Sequence, residues 1–188
     1  MTLNTRETLL QKAEILIRTR GYSAFSFADL AEHTQMTKAS VHYHFPSKED
    51  LMVTLFDGYM ERFITVLAQI KAQHIGPRDR LEAYADLFLD GFEQGMLPLC
   101  GALSAERSAL PASMLPKVEY IFQVHIDWLN ALLTEAVAEG YLRGDLSVED
   151  TTMLILSTLE GGSFVGWALA RTAPVLAAFR TVLTCIGL

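Results

Sequence analysis

The stretch TKASVHYHFPSKEDL, residues 37–51, constrains the fold more than any other part of the sequence. Thr37 can cap a short helix at residues 38–44, and Pro46 ends it because proline lacks an amide donor and disfavours helix at the preceding residue. Ser47 opens another helix with an acidic residue three positions on, which is a variant of the capping box. The stretch therefore predicts two helices separated by one tight turn.

The predicted helix at residues 38–44 is too short to bury many side chains, yet it is crowded with polar and aromatic groups. Such groups must face something other than a core, and a phosphate-rich groove is the leading candidate. The alternative is an ordinary polar helix surface. The side chains concerned are Lys38, Ser40, His42, Tyr43 and His44, with Lys48 just past the turn.

Two further helices are predicted before this stretch. Residues 4–20 carry apolar side chains at helical spacing, and Gly21 is a good stop signal. Ser26 caps a second, shorter helix, which ends in a turn at residues 34–36. Helix, short helix, tight turn and short helix form the helix-turn-helix layout, in which the last helix reads DNA.

The rest of the chain predicts only helices, since alternating strand patterns are absent from the sequence. The fold class is all-α with about nine helices. An N-terminal three-helix helix-turn-helix domain occupies residues 1–50, and a helical ligand-binding and dimerisation domain occupies residues 51–188. The helix predicted from Pro77 carries an apolar stripe that reaches Phe92, and the one at residues 102–109 follows a break at residues 95–101. The other later helices are predicted to begin after Ser47, at Pro116, after Ser147 and at Pro174.

The net charge of −7 is unevenly distributed. Residues 1–50 contain six basic and six acidic side chains, so the whole excess of acid lies in residues 51–188. The acidity therefore does not exclude a locally basic face in the first fifty residues. The hydrophobic fraction of 51% is slightly high and suggests a buried interface or an apolar cavity.

Two cysteines are too few for a disulfide framework and lack metal-ligand spacing, so we expect no metal and no cofactor. The N-terminus is polar without an apolar run behind it, which predicts a cytoplasmic protein. Residues 151–170 are apolar, but Glu160 and the following Gly161-Gly162 favour a buried interface helix over a membrane span. We read the glycine pair as a site of close helix approach in a dimer.

The first fifty residues resemble the DNA-binding domain of the TetR/AcrR family of bacterial transcription regulators. The sequence departs from that family at Gln35-Met36, where many members have glycine followed by an aliphatic residue, and in the order His42-Tyr43-His44. The matching residues are Gly21-Tyr22, Phe25-Ser26-Phe27, Asp29-Leu30-Ala31, Thr37-Lys38-Ala39-Ser40-Val41-His42-Tyr43-His44-Phe45 and Ser47-Lys48-Glu49-Asp50-Leu51.

The resemblance implies a homodimer joined through its last two helices, with two reading helices in successive major grooves of a near-palindromic operator in double-stranded DNA. It also implies a small ligand in the larger domain that moves the fourth helix. In this scheme Thr37, Tyr43 and Lys48 contact phosphates, and Lys38, Ser40 and His42 face base edges. The remaining predicted contacts are the backbone amides of Ser26 and Phe27, and His44.

Aromatic and methionine side chains are abundant on the fourth to eighth helices, which favours a cavity for an apolar or aromatic ligand. For any single residue plain packing is the better interpretation. His125 is equally well a core histidine or the polar group of the cavity. The candidate ligand-binding residues are Tyr59, Phe63, Phe88, Phe92, Met96, Cys100, Phe122, His125, Trp128 and Trp167.

Cys100 lies in GMLPLCGALSAE, residues 95–106, which resembles a segment in branches of the family where the cysteine is associated with sensing electrophiles or oxidants. Its apolar flank equally fits a small buried side chain.

We therefore predict a DNA-binding repressor released by a small apolar or electrophilic effector. The alternative is a helical ligand-binding or adaptor protein that does not bind DNA. An enzyme is not expected, since the sequence offers no catalytic set.

Overall fold

A computed structural model describes residues 4–143 and 145–188, which contain nine α-helices and no strand. Residues 1–3 of the predicted first domain and residue 144 of the second lie outside this range. The predicted all-α fold class is confirmed. The helices are α1 Thr5–Arg20, α2 Phe27–Thr34, α3 Lys38–His44, α4 Lys48–Gln73, α5 Pro77–Asp86, α6 Leu99–Ala105, α7 Leu115–Ala138, α8 Val148–Leu169 and α9 Ala173–Ile186.

Short polar side chains set the helix starts, as predicted for α2, α3 and α8. Ser26 and Asp29 exchange hydrogen bonds in a capping box, and Thr37 accepts the N–H of Ser40 at 3.1 Å. Ser147 likewise accepts the N–H of Asp150 at 3.1 Å. These caps satisfy amide groups that would otherwise be left without partners at the first turn.

The segment between α5 and α6 differs from the prediction. The α5 helix ends at Asp86, and Phe92 lies in a short 3-10 turn bounded by Gly91 and Gly95, both in the left-handed region. Phe92 therefore lies outside α5, although the apolar stripe of that helix had been predicted to reach it. Conversely, Cys100 lies inside helix α6, although residues 95–101 had been predicted as a break. The helix forms directly after Pro98, since proline is tolerated at helix starts.

Two compact units form, and each is built from two stretches of the chain. The first contains the described residues up to 62 together with 99–120, and the second contains 63–98 and 121–188. Helices α4 and α7 each begin in the first unit and end in the second. The boundary between functional domains after residue 50 stays a prediction.

In the first unit, α2 packs on both α1 and α3, and α6 packs on α1. Four apolar side chains of this unit are buried in its core, with at most 7% of any one exposed. Burial of these groups holds the short helices in place, since helices of seven or eight residues are marginal by themselves. They are Phe27, Leu30, Val41 and Phe45.

In the second unit, glycines on α8 allow close packing of α9. A Cβ on Gly166 would lie 2.7 Å from the carbonyl oxygen of Arg171, and one on Gly162 would lie 3.3 Å from Val175. Gly161 instead faces open space. Gly162 therefore serves packing within the chain, and of the predicted pair only Gly161 leaves room for the close helix approach expected in a dimer.

Helix α8 is also the one described helix whose length and composition would allow it to cross a membrane. Its buried face packs against α9 in the same unit. A core or interface helix passes the same test of length and composition.

Gln35 ends α2 in the left-handed region, with φ 55°. A residue with a Cβ is disfavoured there by about 1–2 kcal/mol, and glycine is not. We predict that Gln35→Gly raises the free energy of unfolding by roughly 0.5–1 kcal/mol in urea denaturation, after the extra chain entropy of glycine is subtracted. The matched variant Gln35→Ala keeps the Cβ and should gain nothing. Equal stability of the two variants would contradict this account.

Candidate functional site

Helix α3 turns one apolar side chain inward and presents polar groups outward. Val41 is fully buried, whereas Lys38 and His42 are exposed and the Tyr43 side chain is 85% exposed. Ser40 and His44 are half-buried, and Thr37 is exposed at the cap. The helix is thus anchored on one face and free on the face that carries the predicted DNA contacts.

The start of α2 offers fewer backbone amides to a phosphate than its sequence suggested. The N–H of Ser26 is donated to the Asp29 carboxylate at 2.8 Å, so it is occupied within the cap. The Phe27 side chain is buried and meets the edge of the His42 ring at 4.9 Å between centroids. Only the backbone of Phe27 is therefore available to a phosphate, and its ring instead orients His42.

Lys48, at the start of α4, is bonded to the loop that precedes α2. Its Nζ donates to the carbonyl oxygens of Tyr22 and Phe25 at 2.5 Å each, and lies 4.1 Å and 4.6 Å from their ring centroids. Partial burial lowers the pKa of Lys48, while the charges of Glu106 and Asp29 act in the opposite direction. An ammonium has three donors, so one remains for a phosphate.

Glu106 holds the same loop by a second contact. Its carboxylate accepts the N–H of Ser23 at 2.7 Å. It also fills the space that a Cβ on Gly21 would occupy, and Gly21 itself has a φ of +88°. Position 21 therefore requires glycine for its backbone conformation and for the approach of Glu106. We call residues 21–26, with Lys48 and Glu106, the loop clamp.

Residues 107–120 continue this support along α4. Ser113 donates to the Glu49 carboxylate, and Lys117 forms an ion pair with Asp57. Met114 is fully buried between these polar contacts. The first turns of α4 are therefore held by a segment that is distant in sequence.

In the second unit, His125 lies within a group of aromatic rings. Its Nδ1 is 2.6 Å from the Tyr84 hydroxyl oxygen, which is a short hydrogen bond. The ring centroids of Phe63, Phe88 and Phe122 lie 4.5, 5.7 and 6.4 Å from that of the imidazole. We call these five residues the histidine cluster.

The imidazole of His125 is uncharged near neutral pH, because burial lowers its pKa to about 3. Its Nε2 is buried and has no hydrogen-bond partner among the residues that the structure describes. Leaving a buried polar atom unpaired costs about 1–3 kcal/mol. The cluster therefore contains one unsatisfied polar atom surrounded by carbon.

Trp128 adjoins the cluster by stacking on Tyr84, with centroids 5.0 Å apart and planes at 18°. It also lines a small cavity of about 60 Å³. Two cations on the rim of that cavity share one carboxylate, since Lys71 and Arg80 bond to Glu135 at 2.6 and 3.1 Å.

Phe92 and Trp167 lie elsewhere in the second unit, along an open groove of about 570 Å³ next to the α8–α9 turn. Trp167 Nε1 donates to the carbonyl of Gly95 at 2.9 Å. Met96 packs beside Gly91. Of the predicted ligand-binding residues of the second unit, two line this groove, four belong to the histidine cluster, and Trp128 and Met96 lie outside both.

The other two predicted ligand-binding residues, Tyr59 and Cys100, belong to the first unit. Tyr59 is half-buried, and the Cys100 side chain is 2% exposed within α6.

Comparison with known proteins identifies the family. The sequence profile of the bacterial regulatory proteins of the tetR family matches residues 9–55, which include α2, α3 and the loop clamp except Glu106. A TetR-family transcriptional regulator from Agrobacterium tumefaciens superposes with a TM-score of 0.91 over 97% of both chains, at 28% identity. Residues 9–55 therefore match the TetR family, and the chain shares the fold of TetR-family regulators.

Two curated relatives of the chain carry regulatory names. The transcriptional regulator CymR of Pseudomonas putida is 28% identical over 85% of this chain and 77% of its own. The transcriptional repressor KstR2 of Mycobacterium tuberculosis H37Rv is 26% identical over 77% of this chain and 72% of its own.

These matches confirm DNA-binding transcription regulation and decide against the adaptor that does not bind DNA. They also confirm that the chain is not an enzyme, since the family consists of regulators. The roles of individual residues stay predictions.

The loop clamp was not predicted from the sequence. Ser23 and Glu106 lie 83 residues apart, and nothing local indicates that they meet. The sequence contained two signals that could have indicated the clamp, namely Gly21 and the acidic residue Glu106 at the end of an apolar segment. Lys48 was expected only to bind phosphate, and its contacts with the loop went unforeseen.

We predict that Glu106→Ala lowers the free energy of unfolding by about 1 kcal/mol, because a hydrogen bond from an amide to a carboxylate is lost. It should also speed hydrogen exchange at the Ser23 amide. Glu119→Ala is a matched control, since Glu119 makes one exposed ion pair with Arg107 at 3.3 Å. Identical exchange at Ser23 in both variants would show that Glu106 does not hold the loop.

Proposed function

We propose that the chain is a homodimeric repressor that binds a near-palindromic operator and leaves it when a small effector binds the C-terminal domain. The observation that carries the proposal is the outward face of α3, where exposed Lys38, His42 and Tyr43 surround a helix anchored by Val41. A helix of this kind fits the major groove of DNA.

On this proposal the contacts divide into two kinds. Tyr43, Lys48 and the capping hydroxyl of Thr37 contact phosphates and fix the position of α3. Lys38 and His42 reach base edges, and Lys38 can donate to the acceptors of guanine. The remaining proposed contacts are Ser40 at a base edge, His44, and the backbone amide of Phe27.

Regulators of the TetR family bind DNA as dimers. We place the dimer interface on α8 and α9, because α8 exposes large apolar side chains that a solvated helix would not be expected to carry. Gly161 lies among them with no neighbouring atom, which would allow close approach of a partner helix. The exposed apolar side chains are Met153, Leu154, Phe164, Val165, Trp167 and Leu169.

Repression relieved by an effector is supported by one continuous helix. Helix α4 begins at Lys48, which is bonded to the loop clamp, and carries Phe63, which contacts His125. A ligand that displaces Phe63 would therefore act on the same helix that positions the loop before α2. The relative KstR2 is named a repressor, which favours repression over activation, and we place the protein in the cytoplasm with its DNA.

We predict that Tyr43→Ala weakens operator binding about tenfold without changing the unfolding midpoint, since an exposed ring contributes to DNA contact and not to the core. The measurement is fluorescence anisotropy with DNA from upstream of the gene, at several salt concentrations. Tyr120→Ala, which removes a 51% exposed tyrosine outside α3, is the control. If wild-type protein fails to bind even at low salt, the regulator proposal fails as well.

The electrophile alternative can be tested through the two cysteines. Because the Cys100 side chain is buried and Cys185 is exposed, we expect N-ethylmaleimide to modify Cys185 first. Mass spectrometry of the folded protein measures the order. Release from the operator should survive in both Cys100→Ser and Cys185→Ser if the effector is apolar. Loss of release in Cys100→Ser alone would instead make Cys100 an electrophile sensor.

A further inference from the structure

We propose that His125 Nε2 binds the polar group of the effector, and that the effector is an uncharged molecule with a ring-sized apolar body and one hydrogen-bonding group, such as a phenol, an alcohol or a ketone. The inference rests on the proposed release by a ligand and specifies its chemistry.

The first step is the unsatisfied atom. His125 is 3% exposed, its Nδ1 is engaged by the Tyr84 hydroxyl, and its Nε2 has no partner. Buried polar atoms are almost always hydrogen-bonded, so an exception calls for a specific explanation. A ligand that brings one polar atom to Nε2 removes the deficit and gains a hydrogen bond that water cannot reach.

The second step is the shape and polarity of the surroundings. The rings of Phe63, Phe88 and Phe122 border the imidazole, so the body of a ligand that reaches Nε2 meets carbon. Aromatic faces and edges favour a flat or ring-shaped partner. Such a ligand must displace at least one ring, and Phe122 is only half-buried.

The third step is charge. Every side chain in ring contact with His125 is uncharged, and burial keeps the imidazole neutral. The cations nearest to Trp128, Lys71 and Arg80, are already paired with Glu135. A carboxylate would lose its hydration without gaining an opposite charge, so an uncharged ligand is favoured.

The fourth step concerns donors and acceptors. If Tyr84 donates to Nδ1, Nε2–H donates to an oxygen acceptor; in the other tautomer Nδ1–H donates to Tyr84 and Nε2 accepts a hydrogen bond. A hydroxyl group satisfies either arrangement, which makes a phenol the best probe.

Trp128 provides the route. Its ring stacks on Tyr84, and the same residue lines the small cavity beside Leu132. Rotation of the Trp128 side chain would join that cavity to the histidine cluster.

The test compares three probes of similar size on the full chain: 4-ethylphenol, ethylbenzene and 4-ethylbenzoate. Protein labelled with 15N-histidine reports the His125 Nε2 resonance, which is assigned by its disappearance in His125→Phe. We expect 4-ethylphenol to move this resonance and to bind about tenfold more tightly than either other probe, as one added hydrogen bond predicts.

In His125→Phe the preference for 4-ethylphenol over ethylbenzene should vanish while ethylbenzene still binds. His125→Leu serves, also for the assignment, if the phenylalanine variant does not fold, and the order in which the wild-type protein binds the three probes decides if neither folds. The proposal is overturned if ethylbenzoate binds best, if ethylphenol and ethylbenzene bind equally, if the preference survives without His125, or if no probe binds.

Operator binding by the same preparations separates this inference from the proposed function. A protein that binds its operator but none of the probes refutes only the assignment of His125. A protein that binds 4-ethylphenol through His125 but no operator refutes only the regulatory proposal.

Discussion

The hydrogen bonds of the Lys48 ammonium determine how the reading helix is held. Two backbone carbonyls and two aromatic faces surround this one side chain at the start of α4. Glu106 fixes the same loop by accepting the Ser23 amide. Since α2 follows the loop directly and α3 packs on α2, the position of α3 depends on polar contacts that it does not itself make. This arrangement suits the proposed release by an effector, because a support made of a few hydrogen bonds can be changed by a ligand more easily than a packed core.

Local chemistry explains why the sequence predicted much of the fold. Caps such as Ser26, Thr37 and Ser147 act within three residues, so they are readable without knowledge of distant contacts. The missed end of α5 was also local, because the amides of Leu87 to Leu89 bond to carbonyls three residues back, a change that an apolar stripe conceals. The contacts within the candidate site were harder to predict. Tyr84 and His125 are separated by 41 residues, and no periodicity reveals that their polar atoms meet. The sequence therefore indicated which residue types form the site, but it could not indicate which of these residues contact each other.

The histidine cluster shows how a polar atom can be placed among rings without losing its capacity to bind. Tyr84 occupies one nitrogen of His125 and so restricts the orientation of the imidazole, while the other nitrogen remains unpaired. Such a group costs stability when empty and contributes selectivity when filled, because a purely apolar molecule leaves the deficit in place. On the proposal above, the affinity for an effector and the instability of the empty cluster have the same origin.

The two-stretch construction of the first unit has a consequence for engineering chimeric regulators. A graft that transfers only residues 4–62 onto another effector domain would carry Ser23, Glu49 and Asp57 but leave behind the side chains that bond to them. The transplanted segment would then depend on the residues that the recipient protein has at the positions of the missing partners. Chimeras of this chain should therefore exchange residues 99–120 together with the N-terminal segment, so that the helix-turn-helix and the segment that bonds to it are transferred as one compact unit.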